Sequence, residues 1–297
     1  MTDYKDFIED WDFQHPDETR IKFLQHLIKA REANDKDCEY QIQTQIARTF
    51  ALEMNFEEAH KILNDVEKSI ALNLSPRLKV RYYLERGRAY NSSKVFDKAR
   101  EHFEKAVDIA KESKEEFLYV DALHMMGIVE KDSLKQIEWN KKAIAIAESS
   151  QDEKTRGWLG SLLNNTGWSL HDLKQYEEAL NLFEKALELR KTKGERKIPI
   201  AIAMWCVARV HRSLENFDTS LELQLEVQKY RQDNNLGKGS YNYEELGELY
   251  LQKKEQELSQ KNFKVAYELL SQDKWFVTNE PKRLERIKRL AKISENI

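Results

Sequence analysis

The 297-residue chain is poor in the residues that break regular structure, with 9 glycines and 4 prolines. That leaves little room for turns or irregular loops. It has only two cysteines, Cys38 and Cys206, which excludes a disulfide framework and the paired spacing of a structural zinc site. No run approaches the roughly 18 apolar residues that a membrane span needs. The opening stretch, MTDYKDFIEDWDF, is acidic and lacks the apolar core of a signal peptide, so the expected location is the cytoplasm. Neither charge sign is in excess. With 49 basic and 52 acidic residues the net charge is −3, which argues against a bulk electrostatic nucleic-acid binder. Nucleotide, P-loop, serine-hydrolase and zinc-protease motifs are all missing. His171 and Asp172 are adjacent in sequence, and helix neighbours at i, i+1 do not face each other. The expectation is a chain that is not an enzyme and holds no cofactor or metal.

Alternating Val/Ile/Thr runs are few, so the fold class is all-α. Charged residues make up 34% of the chain and apolar ones 40%. This is a polar balance for a globule of this size, and it fits an elongated stack with more surface per residue. The stack is visible as a repeat. Ala47, Gly87, Gly127, Gly167, Ala208 and Gly247 follow one another at spacings of 40, 40, 40, 41 and 39. Mid-helix glycine costs up to about 1 kcal/mol against alanine. A small residue recurring there predicts a second helix packed too close for a larger side chain. Twelve residues later runs a second ladder of Ala59, Ala99, Ala179, Ser220 and Ser259, followed by Leu63, Phe103, Phe183 and Phe263. The segments NFEEAHKILNDV, VFDKAREHFEKA, QYEEALNLFEKA and NFDTSLELQLEV read as one element written four times, each opened by an aromatic: Phe56, Phe96, Tyr176 or Phe217. After Gly127 the hairpin is about three residues short, and Asn140 there replaces the aromatic.

These residues resemble the tetratricopeptide repeat, which pairs a Trp/Leu–Gly–Tyr pattern in its helix A with Ala–Phe–Ala in its helix B. The closest stretch is NNTGWSLHDLKQYEEALNLFEKALELR, residues 164–190, and the resemblance spans roughly residues 18–270. The repeat length near 40 is similar to kinesin light chains and to bacterial peptide-pheromone receptors. The resemblance implies a right-handed superhelical solenoid of about six antiparallel helical hairpins. As a single domain over 1–297 it would comprise an N-terminal tail (1–16), a half repeat (17–36), six hairpins (37–272) and a capping helix (273–297). Asp17 after Pro16 would cap the half repeat, whose Thr19, Phe23 and Ala30 face the core. In EPKRLERIKRLAKI, Leu284, Ile287, Leu290 and Ala291 share one face of the last helix. KTKGERKIP (191–199) and DNNLGKGS (233–240) are the flexible-looking stretches.

The resemblance also implies that helix A lines a concave groove. Counting three before, one after and four after each small residue, and adding Arg81 and Asp121 (six before) and Asp172 (five after), selects the groove side chains. They are Arg48, Arg81, Leu84, Arg88, Asn91, Asp121, His124, Asn164, Trp168, His171, Asp172, Trp205, Arg209, Arg212, Glu244 and Glu248. Guanidinium groups pair with carboxylates, amides hold a peptide backbone and indoles cover apolar side chains. The set therefore points to a protein or peptide partner and an adaptor or scaffold. A peptide-responsive sensor and a self-assembling homo-oligomer are the alternatives. Family members that clamp a chaperone's terminal carboxylate need basic and amide groups over three repeats. Here Thr44, Arg48, Glu85, Asp121 and Met125 occupy those positions, and the two acids argue against that partner.

Overall fold

The computed structural model describes residues 4–70, 75–192, 194 and 197–293. Among these residues the secondary structure is helical throughout and includes no strand. The chain divides into two compact units, residues 1–162 and 163–297. The first holds α1 (Pro16–Glu32), α2 (Lys36–Leu52), α3 (Phe56–Ile70), α4 (Pro76–Ser92), α5 (Phe96–Glu112), α6 (Glu116–Val129), α7 (Ser133–Ser149) and the single turn α8 (Glu153–Arg156). The division falls within α9 (Leu159–Asp172). The second unit continues with α10 (Tyr176–Thr192), α11 (Lys197–Ser213), α12 (Phe217–Asp233), α13 (Ser240–Gln252), α14 (Gln256–Leu270), α15 (Lys274–Asn279) and α16 (Pro281–Leu290).

Helices pair in sequence order. In the first unit α2 packs on α3, α4 on α5 and α6 on α7, while α2 also lies on α4 and α4 on α6. In the second, α11 packs on α12 and α13 on α14. The aromatics that open the repeated segment begin the second helix of each hairpin: Phe56, Phe96, Tyr176 and Phe217 are the first residues of α3, α5, α10 and α12. The sharp corners before them use a left-handed residue that is not glycine: Met54, Lys94, Lys174, Glu215 and, before α14, Lys254, with φ from 60° to 64°. A left-handed residue just past a helix end lets its amide satisfy the last carbonyls. The short hairpin is built differently. Glu130 is extended, and Asp132 caps α7 by accepting from the amides of Leu134 and Lys135.

The small residue and the side chain sixteen positions later meet face to face. A Cβ built on Gly87 would lie 2.4 Å from the Phe103 ring, one on Gly167 2.7 Å from Phe183, and one on Gly247 2.9 Å from Phe263. All three rings are fully buried and have no space to retreat into. Alanine replaces glycine where the opposing residue is not aromatic, as with Ala47 before Leu63 and Ala208 before Gln224. In the short hairpin Asn140 reaches the same place, 2.9 Å from a Cβ on Gly127. Where the second ladder carries serine, the hydroxyl turns back across the hairpin. Ser220 donates to the Ala208 carbonyl at 2.7 Å and Ser259 to the Gly247 carbonyl at 2.9 Å.

The ends differ from expectation in three details. Pro16 is the first residue of α1, so His15 and not Asp17 is the cap; Thr19, Phe23 and Ala30 are buried as expected. Of the expected tail, residues 1–3 lie outside the described residues, and Tyr4–Asp10 forms a short 3-10 segment whose Phe7 packs with Phe23, Leu27 and Ile42. The terminal cap is two helices, because Glu280 precedes Pro281 and leaves the helical region. Ile287 of α16 is buried against Phe263 and Leu270 of α14, with Leu284 and Leu290 half-buried beside it; residues 294–297 lie outside the described residues. So do residues 193, 195 and 196 of the first flexible-looking stretch, which is otherwise helical to Thr192 and from Lys197.

Gly87→Ala is expected to destabilise the chain by about 1–3 kcal/mol, the usual range for forcing a methyl into a filled core. Adding Phe103→Leu, which recreates the pairing of Ala47 with Leu63, should recover part of the loss. Urea melts of the single and double variants measure both values; a double variant no more stable than Gly87→Ala would show that the ring is not what excludes the methyl.

Candidate interaction faces

The helices that open each hairpin present a polar face in both units, and most of its charge is paired within the chain. In the first unit, Glu85 of α4 is buried and gathers two donors and a further cation. Gln45 of α2 donates to it at 3.1 Å, Arg88 donates to it at 2.8 Å, and Arg48 of α2 lies 3.6 Å away. Arg88 also donates to Asp121 of α6. Burial opposes the charge on Arg88, yet Asp121 and Glu85 outweigh that and hold its pKa above the ordinary arginine value. Glu85 Oε2 is buried with no hydrogen-bond partner among the described residues. Arg81 donates to Gln41 at 3.0 Å and has no carboxylate within ion-pair distance among the described residues. Burial, with Arg77 nearby, lowers its pKa to about 10. Asn91 is half-buried in the last turn of α4. His124 sits against the Trp158 ring, 5.3 Å between centroids, and burial lowers its pKa to about 4.

In the second unit Glu245 of α13 takes both Arg212, at 2.6 and 3.0 Å, and Arg209, at 3.1 Å. Glu244 accepts a two-pronged bond from Arg283 at 2.8 and 2.7 Å, and burial raises its pKa despite that partner. Glu248 pairs with Arg286. His171 bonds Ser213 at 2.9 Å, and its pKa is lowered by burial and then by Arg209. Asn164 accepts from the Cys206 thiol at 3.2 Å. That thiol is pushed up to about 12 by burial, and Cys38 to about 11, so neither is a nucleophile near neutral pH. Among the described residues no group of three or more His, Cys, Asp or Glu is placed to hold a metal ion.

Trp168 and Trp205 form part of a row of rings. Trp168 is 5.7 Å from Trp205, Trp205 is 6.1 Å from Tyr241, and Tyr241 is 6.0 Å from Phe276. Beside this row is an open cavity of about 550 Å³, walled by Trp168, Ile198, Ile202, Trp205 and Tyr241 with Arg231 and Lys238 at its polar side. Ile202 is 47% exposed there. Trp205 Nε1 is buried without an acceptor among the described residues. Sequence reasoning found the two tryptophans. It named Glu85 only as an acid against a chaperone clamp and missed Glu245, and so missed that these acids neutralise the arginines, although a spacing rule exists for them. An arginine one position after the small residue (Arg48, Arg209) meets the acid two positions before the small residue of the next repeat (Glu85, Glu245). It also missed Ile198, Ile202 and Tyr241; Ile202 and Tyr241 lie six positions before Ala208 and Gly247, an offset taken only in α4 and α6, at Arg81 and Asp121.

The tetratricopeptide repeat model matches residues 80–113 and 160–193. The chain carries tetratricopeptide repeats. Over 126 residues it is 30% identical to the regulatory protein RapK of Bacillus subtilis (strain 168), a match that spans 39% of this chain and 32% of that protein. The chain therefore aligns with about a third of that relative. Among solved structures it is similar in fold to the apo form of RapI, with a TM-score of 0.69 and 13% identity over 90% of this chain and 74% of the other. It is also similar in fold to NprR in complex with its cognate peptide NprX, with a TM-score of 0.62 and 14% identity over 92% of this chain and 85% of the other. No helix among the described residues is long and apolar enough to cross a membrane.

His124 makes stability depend on pH. Its folded pKa, about 4, lies below the unfolded value of 6.5, so the unfolded chain binds the proton first and stability falls as pH drops from about 6.5 towards 4, by up to about 3 kcal/mol. Denaturant melts of the intact chain and of His124→Asn at pH 7 and pH 4.5 test this. The variant should lose less stability across that interval, and equal losses would place the acid sensitivity elsewhere.

Proposed function

We propose that the chain is a non-enzymatic binding protein that takes a short peptide, or a peptide-like segment of a protein, on the faces of its first-of-pair helices. The observation that carries this reading is the aromatic cavity of the second unit. Its walls are apolar, its exposed Ile202 gains by being covered, and the buried Trp205 Nε1 lacks the acceptor that a backbone carbonyl would supply. The internal pairing of Arg209, Arg212 and Glu244 supports a site that selects by shape and aromatic contact more than by charge. The absence of catalytic motifs and the inert thiols support a role without chemistry of its own. Because NprR has been crystallised with its cognate peptide, a regulatory function responding to a peptide is the finer form of this reading, with action in the cytoplasm.

A panel of short peptides rich in leucine, phenylalanine and tryptophan, titrated against tryptophan fluorescence, tests the proposal. At least one should bind, and Ile202→Glu should weaken it by about tenfold or more while changing stability by no more than about 0.5 kcal/mol, as expected for an exposed position. Binding indifferent to Ile202→Glu, or no peptide that binds, would remove the cavity as the site.

A further inference from the structure

The first unit already holds a peptide-like segment on the corresponding face, and the segment belongs to the chain itself. Residues 4–13, YKDFIEDWDF, alternate aromatics with acids. Phe7 is buried between α1 and α2, edge-on to Phe23 at 5.9 Å. The Trp11 indole donates to Gln45 of α2 at 3.0 Å. Arg48 lies over both the Trp11 and Phe13 rings, at 5.3 and 5.0 Å, and Arg81 of α4 stands 5.7 Å from the Phe7 ring. Further along, Glu9 pairs with Lys154 of α8 at 3.2 Å. A cavity of about 350 Å³ remains between the segment and Arg77, Arg81, Glu115 and Phe117. The segment thus touches side chains from α2, α4 and α8, not only the half repeat α1 beside it.

Its hold is weak in places that a better ligand could improve. Most of the segment is 3-10 in geometry and broken at Asp6, a form that rarely runs far without outside support. Phe13 and the Glu9–Lys154 pair are largely exposed, and exposed pairs contribute little. The acids of the segment bond elsewhere, Asp10 to His26 and Asp12 to His15. Among the described residues Arg81 bonds Gln41 and has no carboxylate within ion-pair distance, and Glu85 Oε2 has no donor.

We infer that this face of the first unit is a binding site for an acidic segment carrying spaced aromatic residues, and that residues 4–13 are its resident competitor. An incoming ligand of the same chemistry displaces them by placing rings under Arg48 and beside α1 and a carboxylate on Arg81. The inference extends the peptide-binding reading to a second face. It also adds a gate, since the measured affinity falls by the fraction of molecules whose face is open.

The probe is a fluorescein-labelled peptide of residues 4–13 itself, followed by polarisation against three forms of the full chain. The released form, Trp11→Ala with Phe13→Ala, keeps the Phe7 anchor and so the fold. The locked form, Glu9→Cys with Lys154→Cys, is joined by a flexible bismaleimide, to which the buried, high-pKa Cys38 and Cys206 are poor targets. The released form should bind the probe at least about tenfold more tightly than the intact chain, the locked form should not bind it, and Arg48→Ala in the released form should abolish binding. Equal binding by intact, released and locked chains overturns the gate. A released form with native circular dichroism and no binding overturns the site. Either failure leaves the peptide reading standing if the effect of Ile202→Glu in the second unit is still observed.

Discussion

The architecture depends on how closely two helices approach at one point in each hairpin. A phenylalanine ring lies where the Cβ of the opposing residue would be, and glycine at Gly87, Gly167 and Gly247 makes room for it. That contact sets the distance between the two helices of a hairpin and fixes their register, since the ring must lie sixteen residues after the gap. The exchange of glycine for alanine opposite leucine or glutamine shows that the constraint is one of summed volume. The dry carbonyls beside it are served by Ser220 and Ser259, so polarity enters this seam only with its partner in place.

A fixed register places the side chains of neighbouring first helices at constant offsets, and the charged faces follow from it. Arginine after the small residue of one repeat reaches glutamate before the small residue of the next, within each unit. Such pairs are costly to break, because removing one member strands a buried charge. They tie neighbouring repeats together by their polar sides as the rings do by their apolar ones. What the pairing leaves unused then stands out: a row of rings beside an open cavity in the second unit, and in the first a guanidinium, Arg81, that bonds Gln41 and has no carboxylate within ion-pair distance among the described residues.

Helix identity, hairpin order and most helix starts were legible because each rests on a local signal repeated five or six times. Phe56, Phe96, Tyr176 and Phe217 open their helices as read. The short hairpin was legible from the displaced Asn140. The fate of the face residues was less so. A periodic count says which way Arg48 or Arg212 points, but not whether an acid from the next helix is already waiting, since that depends on an offset between repeats. The cavity was missed because the position six before the small residue, taken at Arg81 and Asp121, was passed over at Ile202 and Tyr241. The opening segment was read as a tail because its aromatics follow no helical period; its partners are up to 145 residues away in sequence, and no local pattern encodes them.

The arginine–glutamate rungs have a kinetic consequence. On the second unit's face, where Arg209 and Arg212 are neutralised by Glu245, the rungs cast little field into solution, so a ligand approaching that face is not drawn in from a distance. Encounter should then proceed at the unsteered rate, on the order of 10⁵–10⁶ M⁻¹s⁻¹, and change little with ionic strength. A chain built this way distinguishes its ligands by how long they stay once their rings are seated, not by how quickly they arrive.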